Sequence, residues 1–444
     1  MRILYIHQFF AGPDSPGPAQ PRALVRRLAE RGHAVEVLAC NLNAYNEQAE
    51  PEETMEMPGG GSVRVRRLPV PPGLRASLAN RLKTYGAFAW RAWRFGRRQP
   101  APDVVMASIQ PLFGGLAALR LARRWRRPFL LEIRDLWPDA LVVKKAIAPW
   151  QAAPLQALAR SLYAGADRVV CLTPGLKTEI LAKGISPSRV DVFPNGCDET
   201  QFRISPGGRE RLRAELGWSD SFVAVYTGTH TEVTTIDTIV RAAAALRDRR
   251  GIRLDLFGAG QSKPGAMALA RELGLDNIHF HDPVPKSRVP AILAAADAGL
   301  MTLFRSPLIH IYFENKFIDY MGAGLPIVAS LEGVQADLIR QAGAGVVVPT
   351  FDSDALARAI AEAADHPEQR RAMGEAGHRF IRDRLAQPGI LNRYAETLEA
   401  VGAGSGDSLA PWDPFQETGG RGQETGGRGQ ETEGGGQRSG VGSR

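Results

Sequence analysis

Short apolar runs alternate along the chain with stretches of helical pattern, and the runs fall into two similar sets. Their apolar residues are continuous rather than alternating, which is typical of parallel strands buried on both faces. Strands that alternate with helices indicate a doubly wound sheet, so the pattern predicts an α/β protein. The first set lies at 3–6, 35–39, 104–106, 129–131, 169–172 and 190–193, and the second at 222–226, 253–257, 278–280, 299–303, 326–329 and 345–348.

Two sets of similar length predict two Rossmann-like domains rather than one large sheet. We assign residues 1–199 to the first domain and 200–385 to the second. A return segment, 386–402, carries a predicted closing helix. The acidic and glycine-rich stretch 47–62 is interpreted as a loop.

The end of the chain has a different composition. We interpret 403–444 as a disordered, low-complexity tail, because its repeats carry no apolar residue and cannot form a core. The seven-residue repeats are QETGGRG at 416–422 and at 423–429, and QETEGGG at 430–436. Two of them contain arginine, but a tolerated expansion at a free terminus is the favoured interpretation over a nucleic-acid-binding tail.

Charge and cysteine content limit the partners of the protein. The 444 residues carry a net charge of +8, which favours an anionic partner such as a phosphorylated ligand, an acidic membrane surface or nucleic acid. Three scattered cysteines exclude a disulfide framework or a zinc site and fit a reducing cytoplasm. No signal peptide and no membrane-spanning run is visible, so we expect a cytoplasmic protein.

A basic, aromatic stretch at 75–98 is the most unusual feature of charge. It holds seven Lys or Arg and no acid, with five aromatic residues between them. Basic amphipathic helices with aromatic residues bind anionic membrane surfaces, and we favour that interpretation. A core-packing helix with a solvated charged face is the alternative. No nucleic-acid fold motif accompanies the stretch, so no nucleic acid is expected as a partner.

The stretch 312–330, YFENKFIDYMGAGLPIVAS, predicts a loop, a helix from about Asn315 to Met321, a glycine stop and a buried strand. A helix that begins beside a parallel sheet offers free N–H groups to a phosphate, and Lys316 would add a positive charge. Asp319 would then hydrogen-bond a sugar hydroxyl. The competing interpretation is that Asp319 only complements the helix dipole and that Lys316 is solvated.

Four other loops follow predicted strands and so lie where ligands bind in open α/β sheets. The loop with Gly17 and Arg22 lacks dinucleotide spacing and is otherwise a plain Pro-rich connection. In the charged loop 132–139, Asp135 would either orient an acceptor hydroxyl or accept its proton, or else form a structural pair with Arg134. The loops 228–231 and 258–263 present backbone N–H groups, and the lysine at 263 argues against NAD.

These motifs together resemble the retaining glycosyltransferases of family 4, over about residues 1–400. The similarity is greatest to the N-acetylfucosaminyltransferase-like branch that serves bacterial O-antigen and capsule synthesis. It is carried by ILYIHQFF and the Gly17/Arg22 loop, GHAVEVL (32–38), EIRDLWPDALV (132–142), ADRVVCLTPGLK (166–177), FPNGCD (193–198), VYTGTH (225–230), LFGAGQSK (256–263), FHDPVPKSRVPAILAAADAGL (280–300) and NKFIDYMGAGLPIVAS (315–330). The resemblance implies the GT-B fold, in which two Rossmann-like domains face each other across a cleft.

The resemblance also implies roles for residues of the second domain. Lys263 and Lys316 would contact the diphosphate of a nucleoside diphosphate sugar, which is expected to be UDP-linked. The backbone around Val284 would meet the base, and Asp319 would hold the ribose. His230, Asn315 and, from the first domain, Gly17 would complete the donor site. No metal and no cofactor is expected, because lysines and helix N-termini would neutralise the leaving diphosphate.

The first domain would bind the acceptor, a polyprenyl-diphosphate-linked sugar or another saccharide. Asp135 matches an aspartate that follows the family's strand-end histidine or arginine, and we count it with Lys263 and Lys316 as catalytic. Arg22, Arg134 and Trp137 would face the acceptor or the cleft. The mechanism implied is front-face displacement at the inner face of the plasma membrane.

Two departures from the family pattern bear on activity. The first glutamate of the family's E-x7-E motif falls at Ile311, so that only Asp319 represents the motif. The loop 231–235 has no glycine and contains Glu232, an unfavourable charge near a diphosphate. A weakened enzyme that serves as a scaffold in a polysaccharide assembly complex is therefore the alternative, and a UDP-sugar epimerase is a remote one.

Overall fold

The computed structural model describes residues 1–12, 19–43, 48–49, 52–74, 77–109, 111–143 and 145–415. Within them the chain folds into two α/β domains, as the alternation of apolar runs and helical pattern predicts. Each predicted run lies on a strand, because a run of apolar residues without alternation is stable only when both faces of the strand are covered by helices.

The first domain holds an eight-stranded sheet in the order β3-β4-β2-β1-β5-β6-β7-β8, parallel except for β3 against β4. Its order reverses between β1 and β5, which creates a crevice at their carboxyl ends. The strands are β1 Arg2–Ile6, β2 Ala34–Cys40, β3 Glu53–Glu56, β4 Ser62–Leu68, β5 Val104–Ser108, β6 Phe129–Ile133, β7 Arg168–Cys171 and β8 Val190–Val192.

The interpretation of 47–62 as a loop is wrong. This stretch contains β3 and the first residue of β4, which form an antiparallel hairpin at the edge of the sheet. The strands were missed because edge strands alternate in burial and tolerate charge, as the pattern of β3 shows.

The second domain holds a six-stranded parallel sheet in the order β11-β10-β9-β12-β13-β14. Its order reverses between β9 and β12, and the loops that carry the predicted donor residues follow β9, β10, β11 and β12. The strands are β9 Phe222–Thr227, β10 Ile252–Phe257, β11 Ile278–His281, β12 Ala298–Thr302, β13 Ile327–Ser330 and β14 Gly345–Val348.

Helices cover both faces of the two sheets. Those of the first domain are α1 Gln20–Glu30, α2 Leu78–Gly96, α3 Leu112–Trp125, α4 Asp139–Val143, α5 Pro149–Gly165 and α6 Pro174–Ala182. The others are α7 Gly208–Glu215, α8 Ile236–Ala245, α9 Lys263–Glu272, α10 Val289–Ala295, α11 Asn315–Gly322, α12 Val334–Ala342, α13 Ser353–Asp365, α14 Pro367–Phe380 and α15 Gln387–Gly402. In the part of the chain that the structure describes, no helix is both long enough and apolar enough to cross a bilayer.

The return helix α15 packs on the first domain, against α1. Tyr394 of α15 stacks on Phe193 of the first domain with ring centroids 4.5 Å apart. The chain passes between the domains twice, and the two passages bond to each other: Cys197 N–H donates to Leu385 O, and Gln387 N–H donates to Cys197 O, both at 2.9 Å.

The predicted start of the disordered tail at 403 is wrong, because residues 403–415 pack on the first domain. We call this stretch the C-terminal strap. Trp412 stacks on Phe193 at 4.9 Å, and its N–H donates to Asp191 Oδ1 at 2.7 Å. An aromatic ring and a backbone donor that find buried partners order a segment that composition alone marks as a tail. The predicted repeats lie outside the described residues.

Candidate functional site

The helix α11 begins at the cleft between the domains. Glu314 before it has extended backbone, and its side chain makes no capping hydrogen bond, so the described residues leave the first-turn N–H groups available. The helix ends at Gly322, and Gly324, whose φ is +70°, allows the chain to turn into β13. The predicted helix and strand are therefore confirmed, and Asn315, Lys316 and Asp319 share its first two turns.

Lys316 of α11 is buried, and its side chain reaches the end of β9, where it contacts Tyr226. Its Nζ lies 2.7 Å from the Tyr226 hydroxyl, 4.1 Å from the centroid of the Tyr226 ring and 3.0 Å from Glu314 Oε2. Burial lowers the pKa of Lys316, but Glu314 and Tyr226 raise it by more, so its pKa stands above the ordinary value. The ammonium group is therefore charged at neutral pH and held in one place.

Glycines allow the loops after β9 and β10 to approach this lysine. A Cβ atom added to Gly228, which has a φ of +140°, would lie 3.3 Å from Lys316 Nζ. A Cβ atom on Gly258 would lie 1.8 Å from Gly228 O, and one on Gly260 would lie 2.1 Å from His230 O. Backbone rather than side chain thus forms the floor of the cleft here, as a phosphate site requires.

His230 has no exposed surface, and neither of its ring nitrogens has a hydrogen-bond partner among the described residues. Burial lowers its pKa to about 4, and the positive charges of Lys263 and Lys316 contribute to this. The imidazole is therefore neutral at pH 7. It lies within electrostatic range of both lysines without adding charge of its own.

Lys263 is the first residue of α9, and its ammonium group is hydrogen-bonded to neighbouring residues of the second domain. Its Nζ donates to His281 O at 2.7 Å, to Gly258 O at 3.0 Å and to Asp282 Oδ1 at 3.1 Å. The predicted diphosphate contact would have to compete with these bonds. Lys316 is thus better placed for that contact than Lys263.

A cavity of about 240 Å³ lies between the domains beside α11. Gln20 and Asn195 line it from the first domain, and Lys286, Asn315 and Asp319 from the second. Burial raises the pKa of Asp319 to about 7, so its carboxyl group titrates in the neutral range. Asp319, the residue predicted to bind the ribose, therefore faces a cavity that both domains share.

Val284 does not line this cavity but packs on the core of the molecule, two residues before Lys286. Its predicted role depends on its backbone, and that role stays a prediction. Gly17 lies outside the described residues.

Arg134 lies at the carboxyl end of β6 and is almost fully buried. Its guanidinium donates to Gln20 Oε1 at 2.9 Å, to Asn195 Oδ1 at 3.1 Å and to Glu132 Oε1 at 3.3 Å. Glu132 also accepts a bond of 2.8 Å from the Tyr5 hydroxyl. Arg134 is therefore the centre of a polar network that faces the cleft.

Asp135 and Trp137 lie beside this network. Asp135 Oδ1 accepts the N–H of Leu136 at 2.8 Å. Burial raises the pKa of Tyr312, and the charges of Asp135 and Glu314 raise it further, which locates Asp135 near the loop that leads into α11. Trp137 packs against Tyr85 of α2, with ring centroids 6.3 Å apart.

Arg22 is directed to the edge of the sheet rather than to the network around Arg134. It makes a two-bond ion pair with Glu53 of β3, at 2.6 and 3.0 Å. It also lines a second cavity, of about 460 Å³, between α1 and α15. Arg22 therefore lies next to the cleft, but its guanidinium is already paired with Glu53.

The structure explains why Ile311 stands where the family has a glutamate. Ile311 and Leu308 are buried in the core of the first domain, although both belong to the loop before α11. The adjacent His310 packs against α6 of the first domain. Its Nε2 lies 3.0 Å from Glu179, and an added Cβ on Gly175 would lie 2.0 Å from His310 O. An apolar residue at 311 thus serves the contact between the domains.

The loop 231–235 is ordered by its own threonines and by the end of β12. Thr234 Oγ1 lies 2.9 Å from Thr229 O, and the N–H of Phe304 donates to Val233 O at 2.8 Å. Glu232 is exposed to solvent. The glycine-free loop therefore has a defined conformation in which its acid is hydrated.

Sequence reasoning missed Tyr226, Asn195 and Gln20, and it included Glu132 only as one of the charged residues of the loop 132–139. Tyr226 was interpreted as part of a buried strand, and Asn195 entered only as one letter of the FPNGCD motif. The position of Tyr226 one residue before the end of β9, next to the loop that begins at Gly228, is the signal that could have identified it. Gln20 carries no comparable signal, because the first turn of a helix accepts many polar residues.

Two family descriptions match the chain in tandem. "Glycosyl transferase 4-like domain" matches residues 19–196, and "Glycosyl transferases group 1" matches residues 221–366. The two matched segments correspond to the two sheets of the structure.

Curated relatives agree with these descriptions. A "D-inositol 3-phosphate glycosyltransferase" of Streptomyces griseus is 30% identical over 44% of the chain, but the chain spans only 43% of that relative's length. The "Putative colanic acid biosynthesis glycosyl transferase WcaI" of Escherichia coli is 24% identical over 63% of the chain and 70% of the relative.

Solved structures share the fold. Alr3699/HepE of Anabaena in complex with UDP superposes with a TM-score of 0.67 over 90% of the chain and 100% of that protein, at 17% identity. A further structure of HepE holds UDP-glucose. Similarity at this level of identity establishes the fold of two facing domains, which confirms the predicted architecture.

Proposed function

Since the chain belongs to the family 4 glycosyltransferases with the GT-B fold, we propose that it transfers a sugar from a UDP-linked donor to a lipid-linked or saccharide acceptor, with retention of the anomeric configuration. The observation that carries this proposal is the start of α11, where Lys316 and Asp319 flank uncapped N–H groups beside a cavity shared by both domains. A buried cation and free N–H groups suit a diphosphate, and a carboxylate suits the hydroxyls of a ribose.

The donor would lie with its ribose at Asp319 and its diphosphate at Lys316 and the glycine floor of Gly228. Lys316 would stabilise the negative charge that develops on the diphosphate as the bond between the anomeric carbon and the phosphate oxygen breaks. Its charge is preorganised by Tyr226, so little rearrangement is needed during the reaction. In this proposal the lysine and the helix N-terminus take the part that a metal plays in other transferases.

The acceptor would enter from the first domain, past Asp135 and Trp137. In the front-face mechanism, the acceptor hydroxyl attacks the anomeric carbon on the side from which the diphosphate leaves. The hydroxyl proton passes to a phosphate oxygen of the leaving group, and Asp135 would orient the hydroxyl. Atoms and charge balance without any other reactant.

We further propose that α2 holds the protein at an anionic membrane surface, at the inner face of the plasma membrane. Trp90 of α2 is 54% exposed, and Arg94 lies 5.4 Å from its ring. Trp150, at the start of α5, is 76% exposed. Exposed tryptophans, one of them beside an arginine, favour the boundary between lipid head groups and acyl chains. Since the Escherichia coli relative is named for colanic acid biosynthesis, we place the acceptor in the synthesis of a surface polysaccharide such as O-antigen or capsule.

The first experiment is a thermal unfolding series with UDP, GDP and NAD, each with and without magnesium. A ligand present at about 100 times its dissociation constant stabilises the folded state by roughly 2.7 kcal/mol, which gives a visible shift. A shift with UDP alone, independent of magnesium, supports the donor site. A panel of UDP-sugars, with a polyprenyl-diphosphate-linked sugar as acceptor, then tests transfer by UDP release.

Two outcomes would contradict the proposal. The absence of a shift with every nucleotide would favour the scaffold protein, because the glycine-free loop 231–235 would then have lost the donor. Conversion of a UDP-sugar to its epimer without an acceptor would favour the epimerase.

A further inference from the structure

Asn195 joins the acceptor domain to the first residue of the donor helix through a single side chain. Its Oδ1 accepts from Arg134 at 3.1 Å, and its Nδ2 donates to Asn315 Oδ1 at 2.5 Å. Asn195 is buried and follows β8 of the first domain, whereas Asn315 begins α11 of the second. Both ends of the amide are therefore used, one for each domain.

The first-domain end of this link is fixed by further bonds. Arg134 is held by Gln20 and Glu132, and the Gln20 amide also donates to the carbonyl oxygen of Pro194 at 2.7 Å. Gln20 thus contacts both the side-chain partner and the backbone neighbour of Asn195. A side chain surrounded by such bonds has little freedom to change rotamer.

The link also lies beside the connections between the domains. Gly196 follows Asn195, and an added Cβ there would lie 2.7 Å from Gln387 Cα. The adjacent Cys197 bonds to the returning chain at Leu385 and Gln387. A rotation of one domain against the other would therefore stretch or break the bond between Asn195 and Asn315.

We propose that Asn195 is a positioning residue for glycosyl transfer, which sets the place of Asn315 and hence of the first turn of α11 relative to the acceptor domain. The inference rests on the proposed function. Asn195 acts through Asn315, which precedes Lys316, so its loss would displace the leaving-group end of the donor from the acceptor. A displacement of about 1 Å costs on the order of 10²-fold in rate.

The test compares Asn195→Ala, Asn195→Asp and the control Asn392→Ala. Asn392 is a half-buried residue of α15 whose side chain makes no hydrogen bond to the described residues, so its replacement makes the same chemical change elsewhere. Calorimetry gives the UDP affinity of each variant. UDP release from UDP-glucose is then measured with a polyprenyl-diphosphate-linked sugar and with water alone.

We expect Asn195→Ala to keep its UDP affinity and its slow hydrolysis of donor by water, while transfer to the sugar acceptor falls on the order of 10²-fold in kcat. Asn195→Asp should restore most of the transfer, because its carboxylate accepts from Arg134 and from the Asn315 amide once that amide is flipped. A structural role alone would not separate transfer from UDP affinity in this way.

Three results are decisive. If Asn195→Ala transfers as fast as Asn392→Ala, or loses UDP affinity and transfer in parallel, the inference is wrong. If Asn195→Asp is no better than Asn195→Ala, the bond to Asn315 is not what matters, and the inference is also wrong. If the unmodified protein neither binds UDP nor releases it from any UDP-sugar, the proposed function fails first.

Discussion

The ammonium group of Lys316 lies against the face of Tyr226 and also within hydrogen-bond distance of its hydroxyl, at 4.1 Å from the ring centroid and 2.7 Å from the oxygen. The two residues belong to different elements: Tyr226 lies near the end of β9, and Lys316 lies in the first turn of α11. Their contact fixes a positive charge beside Gly228, where the loops after β9 and β10 of the proposed donor site meet.

Replacement of Lys316 by Ala should weaken UDP binding by about 10- to 100-fold, since a hydrogen bond to a charged group contributes about 1.5–3 kcal/mol. Tyr226→Phe should weaken it by less, about fivefold, because the ring contact remains and one bond of about 1 kcal/mol is lost. Calorimetric titration with UDP measures both. The exposed Lys145, replaced by Ala, is the control, and equal affinities for Lys316→Ala and Lys145→Ala would exclude Lys316 from the donor site.

The raised pKa of Asp319, about 7, predicts a pH dependence of stability. The folded-state pKa stands above the unfolded value of 3.8, so the folded protein holds the proton of Asp319 more tightly than the unfolded chain does. The stability that comes from this protonated carboxyl group is complete below about pH 4 and is lost as the pH rises through 7. Thermal unfolding of the unliganded protein between about pH 5 and pH 8 should therefore show a loss of stability that Asp319→Asn lacks.

UDP affinity should change in the opposite direction. The ionised carboxylate is the better acceptor for ribose hydroxyls, so affinity should rise between about pH 6 and pH 8 in the unmodified protein. Asp319→Asn serves as the reference, because it keeps every other titrating group, including the phosphate of UDP. Parallel curves for the two proteins would contradict a role of Asp319 in binding the nucleoside.

Restoration of the family's acid at position 311 should damage this protein. Ile311→Glu would bury a carboxylate in the apolar contact between the loop before α11 and the first domain, at a cost of several kcal/mol. Urea unfolding should show this loss, whereas Ile311→Leu should cost less than about 1.5 kcal/mol. Stronger UDP binding by Ile311→Glu at undiminished stability would show that the position still faces the donor.

Removal of the C-terminal strap should destabilise the first domain, and removal of the repeats alone should not. Truncation after residue 402 removes the Trp412 stacking on Phe193 and takes Gly406 O and Leu409 O away from the buried Arg168. We expect a loss of at least about 2 kcal/mol in urea unfolding. Truncation after residue 415 is the matched control, and equal stability of the two proteins would show that the strap contributes nothing.

Replacement of the exposed Trp90 by Ala should reduce binding to anionic vesicles. Sedimentation with phosphatidylglycerol vesicles, compared with phosphatidylcholine vesicles, measures the effect, and Arg94→Glu should reduce binding further by about 1 kcal/mol or more. Phe351, an exposed aromatic residue of the second domain, gives the matched control Phe351→Ala. Equal binding by all three proteins would remove α2 from the membrane proposal.

The sequence determined the parallel strands of the two sheets and the helix at 315–322. Continuous apolar runs need cover on both faces, which identifies buried parallel strands. The glycines that follow α11 and open the loops after β9 and β10 can be read directly from the sequence. Local pattern therefore located Lys316 and Asp319, because their proposed role depends on the nearby helix start. It failed at β3, whose charged residues suit an edge strand, and at the C-terminal strap, whose order depends on distant aromatic residues.

Tertiary structure alone decided which of the candidate side chains meet. Tyr226 reaches Lys316, and Asn195 reaches Asn315, across separations of 90 and 120 residues in sequence. Arg22 and Lys263 are taken up by Glu53 and by carbonyl oxygens, respectively. A hydrogen bond has a range of about 3 Å, and no periodicity in the sequence reports which distant side chains come that close. The contact between the domains that buries Ile311 is invisible for the same reason, since it depends on how two separately formed sheets are packed together.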